Sequence, residues 1–312
     1  MKNQSIGIDI GGTNISIGAV DKFGGILQQW SMKMKDCPTV EVFLQKVEAL
    51  MGDYFTKNRK EIQGIGIGAP NGNFYTGCID FAPNLPWKGE IPLAQLMHDK
   101  FGIRVMLTND ANAAAIGEMV YGAAKGMKDF VMVTLGTGVG SGFVANGELI
   151  YGHDGFAGEL GHTNAVRDGR QCGCGKKGCL ETYTSATGIV KTVKEFLARD
   201  EQPSLLRSIE NVTSKDIFDA AEKGDKLAME IFDYTGKILG QSLADVVAIT
   251  SPKAIVLFGG LAGAGKYIFE PTKKYMEENL LQIWKGKIKL IPSELKESDA
   301  AVLGASGLVW ER

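Results

Sequence analysis

Two apolar runs, Ser5–Ile10 and Ile15–Val20, flank the glycine-rich stretch Gly11, Gly12, Thr13, Asn14. Short apolar runs joined by such a stretch predict a strand, a tight turn and a second strand. A unit of the same design returns between Phe130 and Leu149, where FVMVTL and SGFVANGEL are separated by GTGVG. Two hairpins about 125 residues apart suggest two halves built on one plan. Between them Val40, Phe43, Leu44, Val47, Leu50, Met51, Tyr54 and Phe55 recur at three- and four-residue spacing, the stripe of an amphipathic helix. GIGIGAP reads as a buried strand, and LTNDANAAA as a strand end opening a helix with Asn109 or Asp110 as N-cap. Further on, Gly188–Ala198 and Ser214–Ile249 read as helical. Ala254–Gly260 reads as a strand ending in two glycines, KIKLIPS as another strand, and Asp299–Trp310 as a closing helix. Strands alternating with helices predict α/β layers with mixed sheets. No proline-rich or low-complexity linker interrupts them, so the boundary between the domains is expected to be tight, near residues 110 to 120.

A chain of 312 residues is long enough for two such domains. Its 34 Lys and Arg balance 36 Asp and Glu, with no run of five like charges, which argues against nucleic acid or an anionic membrane as main partner. No apolar stretch approaches the roughly 18 to 20 residues of a membrane-spanning helix, and the start MKNQS runs directly into a strand. A soluble, cytoplasmic protein is expected. Glycine is the outlier: 41 residues, nearly twice the usual share of about 7%, call for many tight turns or close backbone approaches.

Two glycine patterns fail their context. Gly173, Gly175 and Gly178 satisfy GxGxxG but follow no strand, and Gly260–Lys266 matches GxxxxGK with Tyr267 where a magnesium-binding hydroxyl belongs. Three strand-to-glycine turns remain: DIGGTN (9–14), LGTGVG (135–140) and FGGLAGAG (258–265). Any one of these is more often structural. Three together point to nucleotide binding, because glycines let successive backbone N–H groups approach phosphate and Thr13 and Thr137 add hydroxyl donors.

His162, Cys172, Cys174 and Cys179 are separated by nine, one and four residues. Three thiolates and one imidazole complete a tetrahedral zinc set with no position left for water, the structural pattern. Such a set fits a reducing compartment better than a disulfide framework does. Glu159 and Glu181 flank it, so the metal would draw two carboxylates together as acceptors for a polyhydroxylated ligand. Asp110 could simply cap its helix. Equally, it could be the general base that phosphoryl transfer to a hydroxyl needs at the carboxyl end of a strand.

With DIGGTN, APNLPW (82–87), TNDANAAA, LGTGVGSG, AGELGH, CGCGKKGCLE, FGGLAG and DAAVLGAS, the chain resembles the ROK family of sugar kinases, in particular its bacterial glucokinases. The resemblance implies a two-domain actin-like ATPase (ribonuclease H-like) fold with a cleft between the domains. The first domain would comprise residues 1–112 plus 298–312, and the second residues 113–297. By the same resemblance Asp110 would be the base, and Asn84, Asn109, Glu159, His162 and Glu181 would hold sugar hydroxyls. Asn71 and Gly72 would lie beside the sugar, and one nitrogen of His162 would face zinc while the other faced the sugar. Asp9, Gly11, Gly12, Thr13 and Asn14, with Gly136, Thr137 and Gly138, would hold the ATP phosphates and Mg2+, and Gly259 and Gly260 would approach the adenosine.

The implied reaction is conversion of glucose to glucose 6-phosphate. N-acetylmannosamine or N-acetylglucosamine is the rival substrate, and a non-catalytic sugar sensor the rival from another class. Many ROK relatives carry glycine where this chain has Asn71, which weakens an unaltered glucose preference. Fructose ranks low, because ROK fructokinases space the metal residues differently. With the first strand at about Ser5, the helix-turn-helix of ROK repressors is not expected. A homodimer or higher homo-oligomer is the common state of the family.

Overall fold

A computed structural model describes residues 2–199 and 201–310; Met1, Asp200, Glu311 and Arg312, which fall within the domain ranges given above, lie outside the described residues. The first hairpin forms as its pattern predicts, with β1 (Gln4–Ile10) antiparallel to β2 (Asn14–Asp21). β3 (Ile26–Lys33) extends it on the far side of β2. The next element, α1 (Val40–Asn58), is capped by Thr39 and buries Val40, Phe43, Val47, Met51 and Phe55. Then come β4 (Ile62–Ala69), the short ribbon β5 (Ile79–Asp80) with β6 (Glu90–Ile91), the helix α2 (Leu93–Phe101), and β7 (Val105–Asn109). The sheet runs β3-β2-β1-β4-β7, with β1, β4 and β7 parallel.

The alternation of isoleucine and glycine in β1 and β4 has a packing cause. Ile6, Ile8, Ile65 and Ile67 are fully buried in the cluster that includes the α1 stripe. On the opposite face, a Cβ at Gly7 or Gly66 would strike the carbonyl of Val302 or Ala305 in the last helix. Glycine on that face is what allows a helix to lie directly on the backbone of the sheet.

The second half opens with α3 (Asp110–Val120) and the hairpin β8 (Phe130–Leu135), β9 (Val139–Ala145), followed by β10 (Glu148–Leu149). After the cysteine loop come α4 (Glu181–Thr184), α5 (Ala186–Arg199), α6 (Ser214–Glu222), α7 (Lys226–Thr250), β11 (Ala254–Phe258), α8 (Lys266–Asn279), β12 (Lys289–Pro292) and α9 (Glu297–Gly307). Its sheet runs β10-β9-β8-β11-β12, with β8, β11 and β12 parallel. This half has its own apolar cluster, containing Val131, Leu135, Leu239 and Leu257. α9 returns to lie on β1, β2 and β4 and also packs on α3. A further cluster joins Ala114, Ala115 and Ile116 of α3 to Phe130 and Met132 of β8. The crossing pair α3 and α9 therefore links the two halves.

The structure differs from the reading of the sequence in several elements. Ser214–Ile249 is two helices, broken where Gly224 takes φ 79° and Asp225 accepts a hydrogen bond from Ala228 N at 2.9 Å as the new N-cap. β3, α2, α8 and the β5–β6 ribbon carry too weak a pattern to stand out: β3 is a mostly exposed edge strand, and α8 holds Pro271 inside it. No described helix is long and apolar enough to cross a membrane.

Candidate active site

A cavity of about 560 Å³ opens between the halves. The ends of strands from both sheets reach it, as they do in open α/β architectures. All three glycine turns contribute: Gly11 and Gly12 after β1, Gly136, Thr137 and Gly138 after β8, and Gly259 and Gly260 after β11. Asn71, Asn84, Asn109, Asp110, Glu159 and Glu181 also line it. Among the described residues, no lysine or arginine lines the cavity. Phosphates held here would meet backbone N–H groups and a metal cation rather than side-chain cations.

Asp110 stands where β7 becomes α3. Asn109 caps the helix through Oδ1, which accepts from Ala111 N at 2.8 Å, and Asp110 Oδ1 accepts from the same N–H at 2.8 Å. Asn109 is thus the cap, and Asp110, the first residue of the helix, presents its carboxylate to the cavity. The Asp110 side chain is open to water of the cavity yet lies deep between the halves, with protein on most sides. That burial pushes its carboxyl above the usual range, against the lowering effect of the backbone hydrogen bonds. Asp9, near the end of β1, does not line the cavity. Burial first, and the charge of Asp110 second, push it up to about 7. Glu159 is also raised, by burial; His162 lowers it, and the charges of Asp110 and Glu181 raise it again. The cavity therefore gathers acidic groups, an arrangement that favours cations and hydroxyl donors.

Asn84 is presented by the loop that β5 and β6 close. Trp87 anchors this loop from below: its ring packs on Phe43 at 5.1 Å and its Nε1 donates to the Cys37 carbonyl at 3.0 Å. Asn71 takes φ 52°, a left-handed conformation that asparagine tolerates, and its Nδ2 donates to the Asp80 carbonyl at 2.9 Å. Gly72 is buried outside the cavity lining, bridged to Ile79 and backed closely by the Thr108 carbonyl. Thr13 and Asn14 also stay outside the lining and are exposed; Asn14 Oδ1 accepts from Lys33 Nζ at 2.7 Å.

The cysteine loop folds into a compact cluster. The ligand atoms of His162, Cys172, Cys174 and Cys179 all lie within 4.8 Å of one another. Cys174 Sγ and Cys179 Sγ are 3.6 Å apart, and Cys172 Sγ is 3.7 Å from His162 Nδ1. Bonds of about 2.3 Å to a tetrahedral metal would set such atoms about 3.8 Å apart, so the four side chains fit a single ion. Without an ion, burial pushes the Cys179 thiol up to about 12, while the Lys176 backbone N–H draws Cys174 down. An ion would overcome the first of these, since a coordinated thiol is held as thiolate. His162 does not line the cavity; its Nε2 lies 4.0 Å from Glu159 Oε2, behind that carboxylate.

Glu181 connects the loop to the second hairpin. Its Oε1 lies 3.9 Å from Cys172 Sγ, while its Oε2 accepts from Val139 N at 3.1 Å. A Cβ at Gly138 would meet this carboxylate, so a side chain there would push Glu181 from its place on Val139 N. Several further residues line the cavity that were not singled out as site residues, among them Thr134, Ser141 and Phe156. Ser141 Oγ donates to the Gly158 carbonyl and so holds the strand beside Glu159. Its one sequence signal was its place in the repeated hairpin.

The arrangement is that of a nucleotide and polyol cleft, and the comparisons give it a family. Residues 5–312 match the ROK family model, and the chain belongs to the ROK family. It is 34% identical to the glucokinase of Halalkalibacterium halodurans over 98% of this chain and 95% of that protein. It is 33% identical to the glucokinase of Thermotoga maritima, over 100% of this chain and 98% of that protein. Among solved structures, the ROK family glucokinase of Streptomyces griseus, in complex with glucose and AMPPNP, matches with a TM-score of 0.80 and 32% identity, covering 98% of each chain. The fold is the two-domain actin-like ATPase fold, as the sequence resemblance implied.

Proposed function

We propose that the chain transfers the γ-phosphoryl group of ATP to a hexose, converting glucose to glucose 6-phosphate. One observation carries the reading: three glycine turns, the Asp110 carboxylate and the tethered acids Glu159 and Glu181 converge on one cavity. The relatives named glucokinase, and the glucose and AMPPNP of the Streptomyces griseus complex, favour the same substrates.

Asp110 takes the proton from the 6-hydroxyl as its oxygen bonds to the γ-phosphorus and the bond from that phosphorus to the bridging oxygen breaks, releasing ADP. Burial raises its pKa, which makes the ionised carboxylate a stronger proton acceptor. Asn84, Asn109, Glu159 and Glu181 hold other hydroxyls and fix the angle of attack, and Asn71 borders them. The imidazole of His162 supports Glu159 from behind. Gly11, Gly12, Gly136, Thr137 and Gly138 take the phosphates, with Thr13 and Asn14 at the outer edge of the first turn, and Gly259 and Gly260 border the adenosine. Magnesium would bind with ATP, and the Asp9 carboxylate, at the end of β1 and outside the cavity lining, would favour the cation through its charge. When bound, magnesium neutralises phosphate charge that no lysine or arginine of the lining can meet. Zinc in the Cys3His set would be structural, holding His162 and Glu181 in place. Thiols kept as ligands suit a cytoplasmic, reducing setting.

The test is ADP release with magnesium and ATP across glucose, mannose, fructose, allose, N-acetylglucosamine and N-acetylmannosamine. Preference for glucose is expected. Preference for an N-acetyl sugar would keep the chemistry and change the substrate, and sugar binding without ADP release on any of them would favour a sensor.

A further inference from the structure

Besides the crossing of α3 and α9, the two halves meet at a second place. The loop after β4, residues 70–78, touches the loop after β10, residues 150–156, and each contributes residues to the cavity lining. Asn73 is only 4% exposed, and its Nδ2 donates to the Asp154 carbonyl at 2.9 Å. Its Oδ1 meanwhile accepts from Tyr75 N at 3.0 Å and so braces its own loop. Tyr75 OH donates to the Gly152 carbonyl at 2.9 Å. Phe74 stacks on Tyr151, with ring centroids 3.9 Å apart and planes 12° from parallel. A buried amide with both ends satisfied across two separate loops specifies one arrangement of them.

Both loops run directly into the cavity wall. Asn71 lies two residues before Asn73, and Gly155 and Phe156 follow Asp154, leading to Glu159. None of the glycine turns belongs to either loop. Asn71 and Glu159, which line the wall that these loops continue into, stand near the contacts, whereas the glycine turns lie on other segments, so the contacts act first on the sugar side.

We propose that Asn73 is a positioning residue for the sugar step: by donating to the Asp154 carbonyl it holds the Gly155–Glu159 wall against the half that carries Asn71 and Asn84. The inference rests on the sugar-kinase reading above. It predicts that glucose affinity draws on a clasp whose residues do not touch glucose, because a cleft already held at its working width loses less freedom on binding.

The experiment compares the full-length protein with Asn73→Ala and Tyr75→Phe, measuring kcat and KM for glucose and for ATP, together with thermal unfolding. Asn73→Ala is expected to raise the glucose KM about tenfold, the effect of losing the one bond that crosses to Asp154, with kcat and the ATP KM within about twofold. Tyr75→Phe keeps the ring, loses only the bond to Gly152, and is expected to shift the glucose KM in the same direction by about threefold. Asn73→Ala that lowers the unfolding temperature while leaving the glucose KM unchanged would overturn the proposal, as would an equal rise in both KM values. Should Asn73→Ala fail to fold, Tyr75→Phe decides alone: a raised glucose KM supports the clasp and an unchanged one removes it. A wild-type protein that phosphorylates no sugar would instead overturn the functional reading beneath it.

Discussion

The two hairpins share a design and differ in what is attached to it. Four residues separate the paired Ile10 and Ile15 of the first, and three separate Leu135 and Val139 of the second. One step in from each turn, Asp9 pairs with Ser16 and Thr134 with Gly140. The first hairpin therefore carries its own acid, pushed up to about 7 by burial and by Asp110. The second has a hydroxyl at that place, already occupied in accepting from Gly140 N at 3.1 Å. Its acid is borrowed: Glu181 arrives from the cysteine loop and accepts from Val139 N. One turn design thus meets two settings, a buried acid at the edge of the first hairpin and, on the second, a carboxylate supplied by the loop of the Cys3His cluster.

The largest effect should come from the hairpin that owns its acid. Asp9→Asn is expected to lower kcat by about 10²- to 10³-fold, as loss of one preorganised electrostatic contact does, and to raise the magnesium needed for half-maximal rate. The same change should stabilise the ligand-free protein. Because the folded pKa of Asp9 is raised, its contribution is favourable below about 4 and is lost as pH climbs to about 7. Asp9→Asn should accordingly unfold later than wild type at pH 8, by about 1 to 3 kcal/mol, with the gap closing as pH falls towards 4. An unchanged gap across that window would remove the burial argument.

Glu181→Gln comes next, since it keeps an acceptor for Val139 N–H and loses the charge. The glucose KM should rise about 10- to 100-fold with the ATP KM nearly unmoved. Equal changes in both constants would mean that Glu181 serves the hairpin rather than the sugar. Treatment with a chelator, or Cys174→Ser, should raise the glucose KM about tenfold by loosening the segment that carries Glu181. Elemental analysis should find one zinc per chain, and a metal-free protein with full glucose affinity would contradict the tether. Thr134→Val should matter least: about 1 kcal/mol of stability lost from the unpaired Gly140 N–H, and activity within about threefold.

Much of this was legible in the sequence because the relevant signals are local. The glycine turns, the cap at Asn109 and the spacing of His162 and the cysteines each depend on a few neighbouring residues. So did the isoleucine and glycine alternation, although its cause, a helix from the far end of the chain lying on β1 and β4, is not local. What could not be read was whatever depends on contacts between segments far apart. Gly72, given a place beside the sugar by resemblance, lies outside the cavity lining, because the chain turns at Asn71 (φ 52°) and Gly72 bridges to Ile79. Asn73 and Asp154, 81 residues apart, meet only in the folded chain. Asn84 depends on Trp87 finding Phe43 and the Cys37 carbonyl, a contact no spacing announces.

The central claim is that Asp110 is the base, and kcat for Asp110→Asn beside its glucose dissociation constant tests it most directly. The account predicts turnover lower by about 10²- to 10⁴-fold with glucose affinity within about threefold, since the asparagine amide cannot accept the proton but fills the same space. In wild type, kcat/KM should fall as pH drops below the raised pKa of Asp110, because the protonated carboxyl cannot serve as base. Lost glucose binding with unchanged turnover per bound sugar would contradict the account and make Asp110 a sugar ligand.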